Sequence, residues 1–208
     1  MTSEPYQITQ DKLLTPEEVE ALLLTCKRLA KSDLAHGRKV WLTRYLMVHL
    51  ACAGGLRASE IAWLRVGDFQ GAGPRPLLMV RRAGGRRHRV VHLGPRLAEH
   101  IQDYLRVREI TWGEQLSPQE LLLPGRGGRP YSTAALCFSF RKAAEAARLA
   151  WPCSLRKARH FYSAFLLAKT DDLRYVQTQL GHANQSMTIL YRDLAPLTNH
   201  RLTQELIW

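Results

Sequence analysis

The sequence predicts an α+β fold, mostly α-helical with a small antiparallel β hairpin or sheet. Three observations lead there. Apolar residues recur at helical spacing along most of the 208 residues. One stretch, about 68–93, switches to alternation around Ala83-Gly84-Gly85-Arg86. Internal repeats and low-complexity tracts are absent from the sequence, so a single domain of ordinary size is the expected unit.

The elements follow in order. Residues 1–14 read as a flexible lead, ending where Thr15 can cap a helix and Pro16 fits its first turn. Val19, Leu22, Leu23 and Leu24 give that helix an apolar face out to about Lys31. A second, strongly apolar helix runs from about Arg38 to Ala53 and stops at Gly54-Gly55. A third starts at Arg57-Ala58-Ser59-Glu60 and continues through Ile61, Leu64 and Val66. Leu77–Arg82 and Arg87–Leu93 form the hairpin. Helical patterns return at about Pro95–Arg108 and Thr133–Arg148, separated by a Gly, Arg and Pro-rich loop at Pro124–Pro130. Further helices are predicted near Leu155–Ala168, Asp171–Leu180 and Gln185–Tyr191, and a short amphipathic segment, Thr198–Trp208, follows Pro196.

Thirty Lys and Arg against 18 Asp and Glu give a formal charge of +12, which favours a polyanionic partner, nucleic acid first. Arginine outnumbers lysine, as planar recognition of phosphate prefers. No stretch approaches the roughly 18 apolar residues of a membrane span, and Met1–Lys12 lacks a signal-peptide core. A cytoplasmic, nucleoid-associated protein without membrane contact is the expectation. Cys26, Cys52, Cys137 and Cys153 are scattered without zinc-finger or disulfide spacing and read as reduced thiols.

The chemistry-bearing residues are Arg57, then Arg156-Lys157-Ala158-Arg159-His160, Gly181-His182 and Tyr191. Two guanidinium forks can hold one phosphate through charge-assisted hydrogen bonds, a histidine can donate another or move a proton, and a phenol can attack phosphorus. Tyr191 precedes Arg192-Asp193 in a short amphipathic segment, so a partly exposed hydroxyl is expected. Glu60 reads as a structural partner that orients Arg57.

Gly54-Gly55-Leu56-Arg57-Ala58-Ser59-Glu60-Ile61, followed by Leu64 and Asp68, resembles the first box of the tyrosine recombinase, or phage integrase, family. Leu155–Leu167 resembles the second arginine box. Leu180-Gly181-His182 with Tyr191 nine residues after the histidine matches the family's histidine and nucleophile spacing. The similarity covers about 15–195, which implies a recombinase catalytic domain there and a separate tail at 196–208. It implies Arg57, Arg156, Arg159, His182 and Tyr191 as catalytic residues, with Tyr191 forming a 3′-phosphotyrosyl link that needs no metal or cofactor.

Two positions depart from the family pattern. Arg156 stands where the family usually has a histidine, and arginine cannot shuttle a proton near neutral pH. The hairpin holds no lysine: Gly84 occupies the place where the family's leaving-group acid would sit, leaving Arg82, Arg86 or His88 to supply it. Arg81, Arg82, Arg86, Arg87, His88 and Arg89 are otherwise expected to contact the DNA backbone.

The implied activity is site-specific DNA recombination on double-stranded DNA by a homo-tetramer, with Leu202, Leu206, Ile207 and Trp208 docking on a neighbouring protomer or on their own domain. A catalytically degenerate DNA-binding protein on the same fold and a type IB topoisomerase-like nicking-closing enzyme are the alternatives. The short lead suggests a minimal recombinase or an isolated catalytic domain, of a build resembling the fimbrial phase-variation recombinases.

Overall fold

The computed structural model describes residues 8–81, 88–150, 152–182, 186–192 and 194. Eight helices and three strands are formed among them. Helix α1, Pro16–Ala35, opens as its sequence demands. Thr15 Oγ1 accepts from the Glu18 amide at 3.2 Å and Glu18 returns a bond to the Thr15 amide at 2.8 Å, with Pro16 in the first turn. The helix outruns its predicted end because Asp33, buried at the corner, accepts from Arg38 Nε at 2.9 Å and from the Trp41 amide at 2.8 Å. That carboxylate starts helix α2, Val40–Gly54.

Helix α2 ends on Gly55 in the left-handed region, φ 60°. Glycine is required there, since a Cβ would stand 2.2 Å from the Tyr162 ring. Helix α3 is short, Ala58–Trp63. It stops before Leu64 and Val66 because the chain turns extended and bridges Arg65 to Leu121.

The hairpin is present, strand β2, Leu77–Arg81, pairing antiparallel with β3, His88–His92, and a two-residue strand β1, Phe69–Gln70, joins its other edge. The register sets Leu78 opposite Val91 and Val80 opposite Arg89, so these four share one face. Leu78, Val80 and Val91 are buried there, which turns Arg89 inward as well.

Helix α4, Pro95–Arg106, runs into a π-type turn at Val107–Thr111, where buried Arg108 holds Glu114 and the Leu121 carbonyl, each at 2.8 Å. Helix α5 covers Thr133–Ala146, followed by α6, Leu155–Thr170, α7, Leu173–Leu180, and α8, Ser186–Ile189.

Helix α6 organises the core. Ten consecutive residues, Ala158–Leu167, are buried, so every face of the helix meets protein. One side joins the large cluster built on α1, α2, α4, α5 and the sheet. The other, with Tyr162, Leu166 and Leu167, faces a smaller cluster of Ile8, Leu13, Val176, Leu180 and Tyr191. Residues 8–14 therefore differ from the expected flexible lead: Ile8 and Leu13 are buried and Gln10–Lys12 form a 3-10 turn. No described helix is long and apolar enough to cross a membrane. The predicted tail segment, 198–208, lies outside the described residues.

Candidate active site

Three helix ends and one strand converge around Glu60. Its carboxylate is buried, 8% exposed, and closes the first turn of α3 by accepting from the Arg57 amide at 2.7 Å and from Arg57 Nη1 at 2.9 Å. Arg89, reaching in from β3, grips the same carboxylate through both terminal nitrogens, Nη2 at 3.0 Å, and gives Nε to the Gln179 carbonyl at 2.8 Å. Arg159 on α6 lies 3.7 Å from Glu60. Its two terminal nitrogens donate to the Gly55 carbonyl at the end of α2 and to the Leu180 carbonyl at the end of α7, the latter at 2.6 Å. Helix C-termini carry partial negative charge and bare carbonyls, so both ends suit a guanidinium.

Three guanidiniums thus share one carboxylate, which leaves a surplus of positive charge. Burial raises the Glu60 carboxyl, but the Arg89 hydrogen bonds and charge, with help from the Arg57 amide and Arg159, bring it below its ordinary 4.5. Burial pushes the Arg159 guanidinium down to about 9; repulsion from Arg57 adds to this and attraction to Glu60 opposes it. Both groups are charged at neutral pH. Arg57 is 46% exposed, so its outer edge is open to solvent and to an anion.

The nucleophile candidate lies beside this cluster. Tyr191 follows α8 and is 2% exposed, not partly exposed as its amphipathic segment suggested, because its ring packs in the smaller cluster with Leu180 and Val176. Its hydroxyl is 2.6 Å from His160 Nδ1. His182 follows the left-handed Gly181 that ends α7. Its Nδ1 meets Thr188 Oγ1 at 3.0 Å, and its ring stacks on Tyr191 with centroids 6.3 Å apart and planes at 14°. Burial, then the charges of neighbouring arginines, lowers both imidazoles to about 4, so both are neutral near pH 7.

The structure therefore brings together Arg57, Arg159, His182 and Tyr191. Arg156 is exposed on α6, one turn before His160. Arg81 is half exposed and pairs with buried Asp68 at 3.1 Å. Arg89 departs from the expected DNA contact: at 12% exposure its guanidinium is turned onto Glu60, because β-strand alternation places it on the core face with Val91. Of His88 only the place at the start of β3 is described, and Arg82, Arg86 and Arg87 lie outside the described residues. Tyr162 is buried against Gly55, and burial pushes its phenol well above the ordinary value.

The sequence places His160 among the chemistry-bearing residues but gives it no role of its own. Adjacent residues on a helix point about 100° apart. Arg159 consequently reaches the carbonyls of α2 and α7 while His160 reaches Tyr191. The available signal was the Arg-His dipeptide at the head of the largely apolar run 161–168.

Comparison with known proteins gives a consistent picture. The model of the phage integrase family matches residues 12–197. The tyrosine recombinase XerC of Actinobacillus pleuropneumoniae is 33% identical over 150 residues, 71% of this chain and 46% of that protein. The tyrosine recombinase XerD of Halalkalibacterium halodurans is 30% identical over 182 residues, 86% of this chain and 56% of its own length. The chain spans about half the length of the curated relatives it matches. Among solved structures, the XerH site-specific recombinase bound to palindromic difH substrate, a post-cleavage complex, superposes with a TM-score of 0.73 over 93% of this chain and 52% of that one, at 23% identity. The XerA recombinase gives 0.72 over 97% and 64%, at 19% identity. At that identity the superpositions show the fold alone.

Proposed function

The chain belongs to the phage integrase family, and from that premise we propose that it is a site-specific DNA recombinase that cuts and rejoins double-stranded DNA through a covalent 3′-phosphotyrosyl intermediate. The observation that carries this reading is the surplus of guanidinium charge around Glu60, set beside a tyrosine whose hydroxyl is held by an imidazole.

In this reading the scissile phosphate enters at Arg57 and reaches Arg159, whose charges stabilise the developing negative charge on the non-bridging oxygens. Arg89 and Glu60 act behind them. The buried carboxylate fixes Arg57 against the N-terminus of α3, and Arg89 keeps that carboxylate ionised. His182 donates to the phosphate from the end of α7, while the exposed Arg156 adds a phosphate contact from α6. Tyr191 attacks phosphorus and the 5′-oxygen leaves. Bond energy is conserved in the tyrosyl ester, so religation needs no external energy source.

The net charge of +12 supports duplex DNA as the partner, with Arg81, Arg82, Arg86, Arg87 and His88 as backbone contacts. A homo-tetramer assembled through the C-terminal segment remains part of the proposal. In the hairpin, Arg82 or Arg86 would hydrogen-bond the leaving 5′-oxygen, or His88 would protonate it, in place of a lysine.

The test is covalent capture on a nicked duplex carrying the cognate site. Wild-type protein is expected to form an SDS-resistant adduct, and Tyr191→Phe to abolish it while DNA affinity stays nearly unchanged. Binding without any adduct would replace this reading with the non-catalytic DNA-binding one. Relaxation of a supercoiled plasmid lacking the site would favour the topoisomerase-like one.

A further inference from the structure

We infer that His160 is a catalytic residue, the base that takes the proton from Tyr191 as it attacks phosphorus and the acid that returns it on religation. This deepens the proposed function and rests on it. The contact is direct: His160 Nδ1 stands 2.6 Å from Tyr191 Oη, within the reach required of a general base. Both groups are buried, so bulk water does not compete for the phenolic proton.

The rest of the ring is informative. His160 Nε2 is buried and has no hydrogen-bond partner among the described residues. A histidine kept only for structure ordinarily satisfies both nitrogens, and an orphaned buried polar atom invites a functional account. Of the two neutral groups the phenol is the stronger acid, so the favoured arrangement has Tyr191 donating to Nδ1 and the ring proton on Nε2. Arg156, Arg159 and Lys12 lie close enough to oppose a positive charge on the ring, and burial opposes it further. The imidazole is therefore free to accept at neutral pH, though a weak base while the site is empty. A bound phosphate screens Arg156 and Arg159, which strengthens that base as the substrate arrives.

The step balances. The bond from Tyr191 Oη to phosphorus forms as the bond from phosphorus to the 5′-oxygen breaks. The phenolic proton moves to Nδ1, leaving an imidazolium, and the departing 5′-oxygen takes a proton from the hairpin acid or from water. On religation the 5′-hydroxyl attacks, its proton returns to that acid or water, and the imidazolium returns the first proton to Tyr191. His182 is less suited to this task, because its Nδ1 is on Thr188 and its ring lies face to face with Tyr191. Arg156 and Arg159 cannot accept a proton at all.

The test is single-turnover cleavage of a nicked duplex by wild type, His160→Ala and His160→Asn, on normal DNA and on DNA with a 5′-bridging phosphorothiolate. Asn keeps an acceptor oxygen near the position of Nδ1 yet has no basic atom. Both variants are expected to bind DNA like wild type and to cleave both substrates about 100-fold or more slowly, the scale of a lost general base. Added imidazole should restore His160→Ala in proportion to its free-base concentration. Three results overturn the inference: His160→Asn cleaving like wild type, which would leave a positioning role; full recovery on the sulfur-leaving substrate, which would make His160 the leaving-group acid; or no response of His160→Ala to imidazole. The proposed function fails separately, through the absence of any wild-type Tyr191 adduct.

Discussion

Glu60→Gln tests the charge cluster most directly, because the substitution keeps the shape of the side chain and removes only its charge. The wild-type carboxylate is 8% exposed and faces Arg57, Arg89 and Arg159. An amide has one acceptor oxygen, and its NH2 would point at guanidinium donors. Arg89 and Arg159, at 12% and 11% side-chain exposure, would be left as buried cations without a counter-charge. Removing one partner of a buried ion pair costs about 3–5 kcal/mol. For a domain of this size, each kcal/mol moves the melting temperature by about 2–4 °C, so the variant should melt roughly 6–20 °C lower. Arg57→Ala breaks a half-exposed pair worth about 1 kcal/mol at most and should move the melt by only about 2–4 °C. Calorimetry at pH 7 measures both. The folded pKa of Glu60 lies below its ordinary 4.5, so its contribution is complete above that value and is lost as pH falls through the folded pKa. The gap between wild type and Glu60→Gln should therefore close in acid. A Glu60→Gln melt within 2 °C of wild type, or an Arg57→Ala loss as large, would refute the assignment of Glu60 as the hub.

Arg57→Ala and Arg159→Ala should each slow cleavage by on the order of 100-fold or more while weakening DNA binding far less, because the charge they meet grows in the transition state. Equal losses in rate and affinity, measured by single-turnover cleavage and by titration, would mark them as ordinary backbone contacts. Acid should destabilise the fold: burial, then neighbouring cations, lowers His160 and His182 from 6.5 to about 4 and His100 well below 6.5. Between those values the unfolded chain binds protons that the fold refuses, so stability is full above pH 6.5 and falls toward pH 4, a trend that thermal melts at stepped pH will show or deny. Gly55→Ala should lower the melting temperature by several degrees and also cleavage, since it strains a left-handed residue, drives a Cβ to 2.2 Å from Tyr162 and displaces the carbonyl that holds Arg159. A variant that melts like wild type would show that the α2 terminus yields more readily than its packing indicates.

Features made by neighbours in sequence were legible from the sequence. The Thr15 and Glu18 capping box, the glycine ending at Gly55, the hairpin and each of the arginine, histidine and tyrosine boxes taken singly rest on residues a few positions apart. The facing of Arg89 was not legible, because Val90 and Val91 are equally good core residues and a strand with two adjacent valines can be phased either way. Pairing with β2 chose Val91, and Arg89 went inward with it. The burial of Ile8 and Leu13 was likewise hidden, since their partners in the smaller cluster come from α6, α7 and the segment that follows.

The sequence by itself determined the fold class, most helix starts and stops, and the family's residues in their order. Tertiary structure alone decided what those residues touch. Helix α6 is buried on every face from Ala158 to Leu167, so no apolar period reveals which side Arg159 or His160 presents. Arg159 finds the Gly55 carbonyl 104 residues away, Arg89 finds Glu60 across 29, and His160 finds Tyr191 across 31. The Arg159 and His160 meetings follow from the packing of α6 against the ends of α2 and α7 and the segment beyond, and that of Arg89 from the pairing of β3 with β2. The physical reason is that caps and turns are closed by bonds within one turn of chain, whereas a site built from helix ends exists only once the helices are packed.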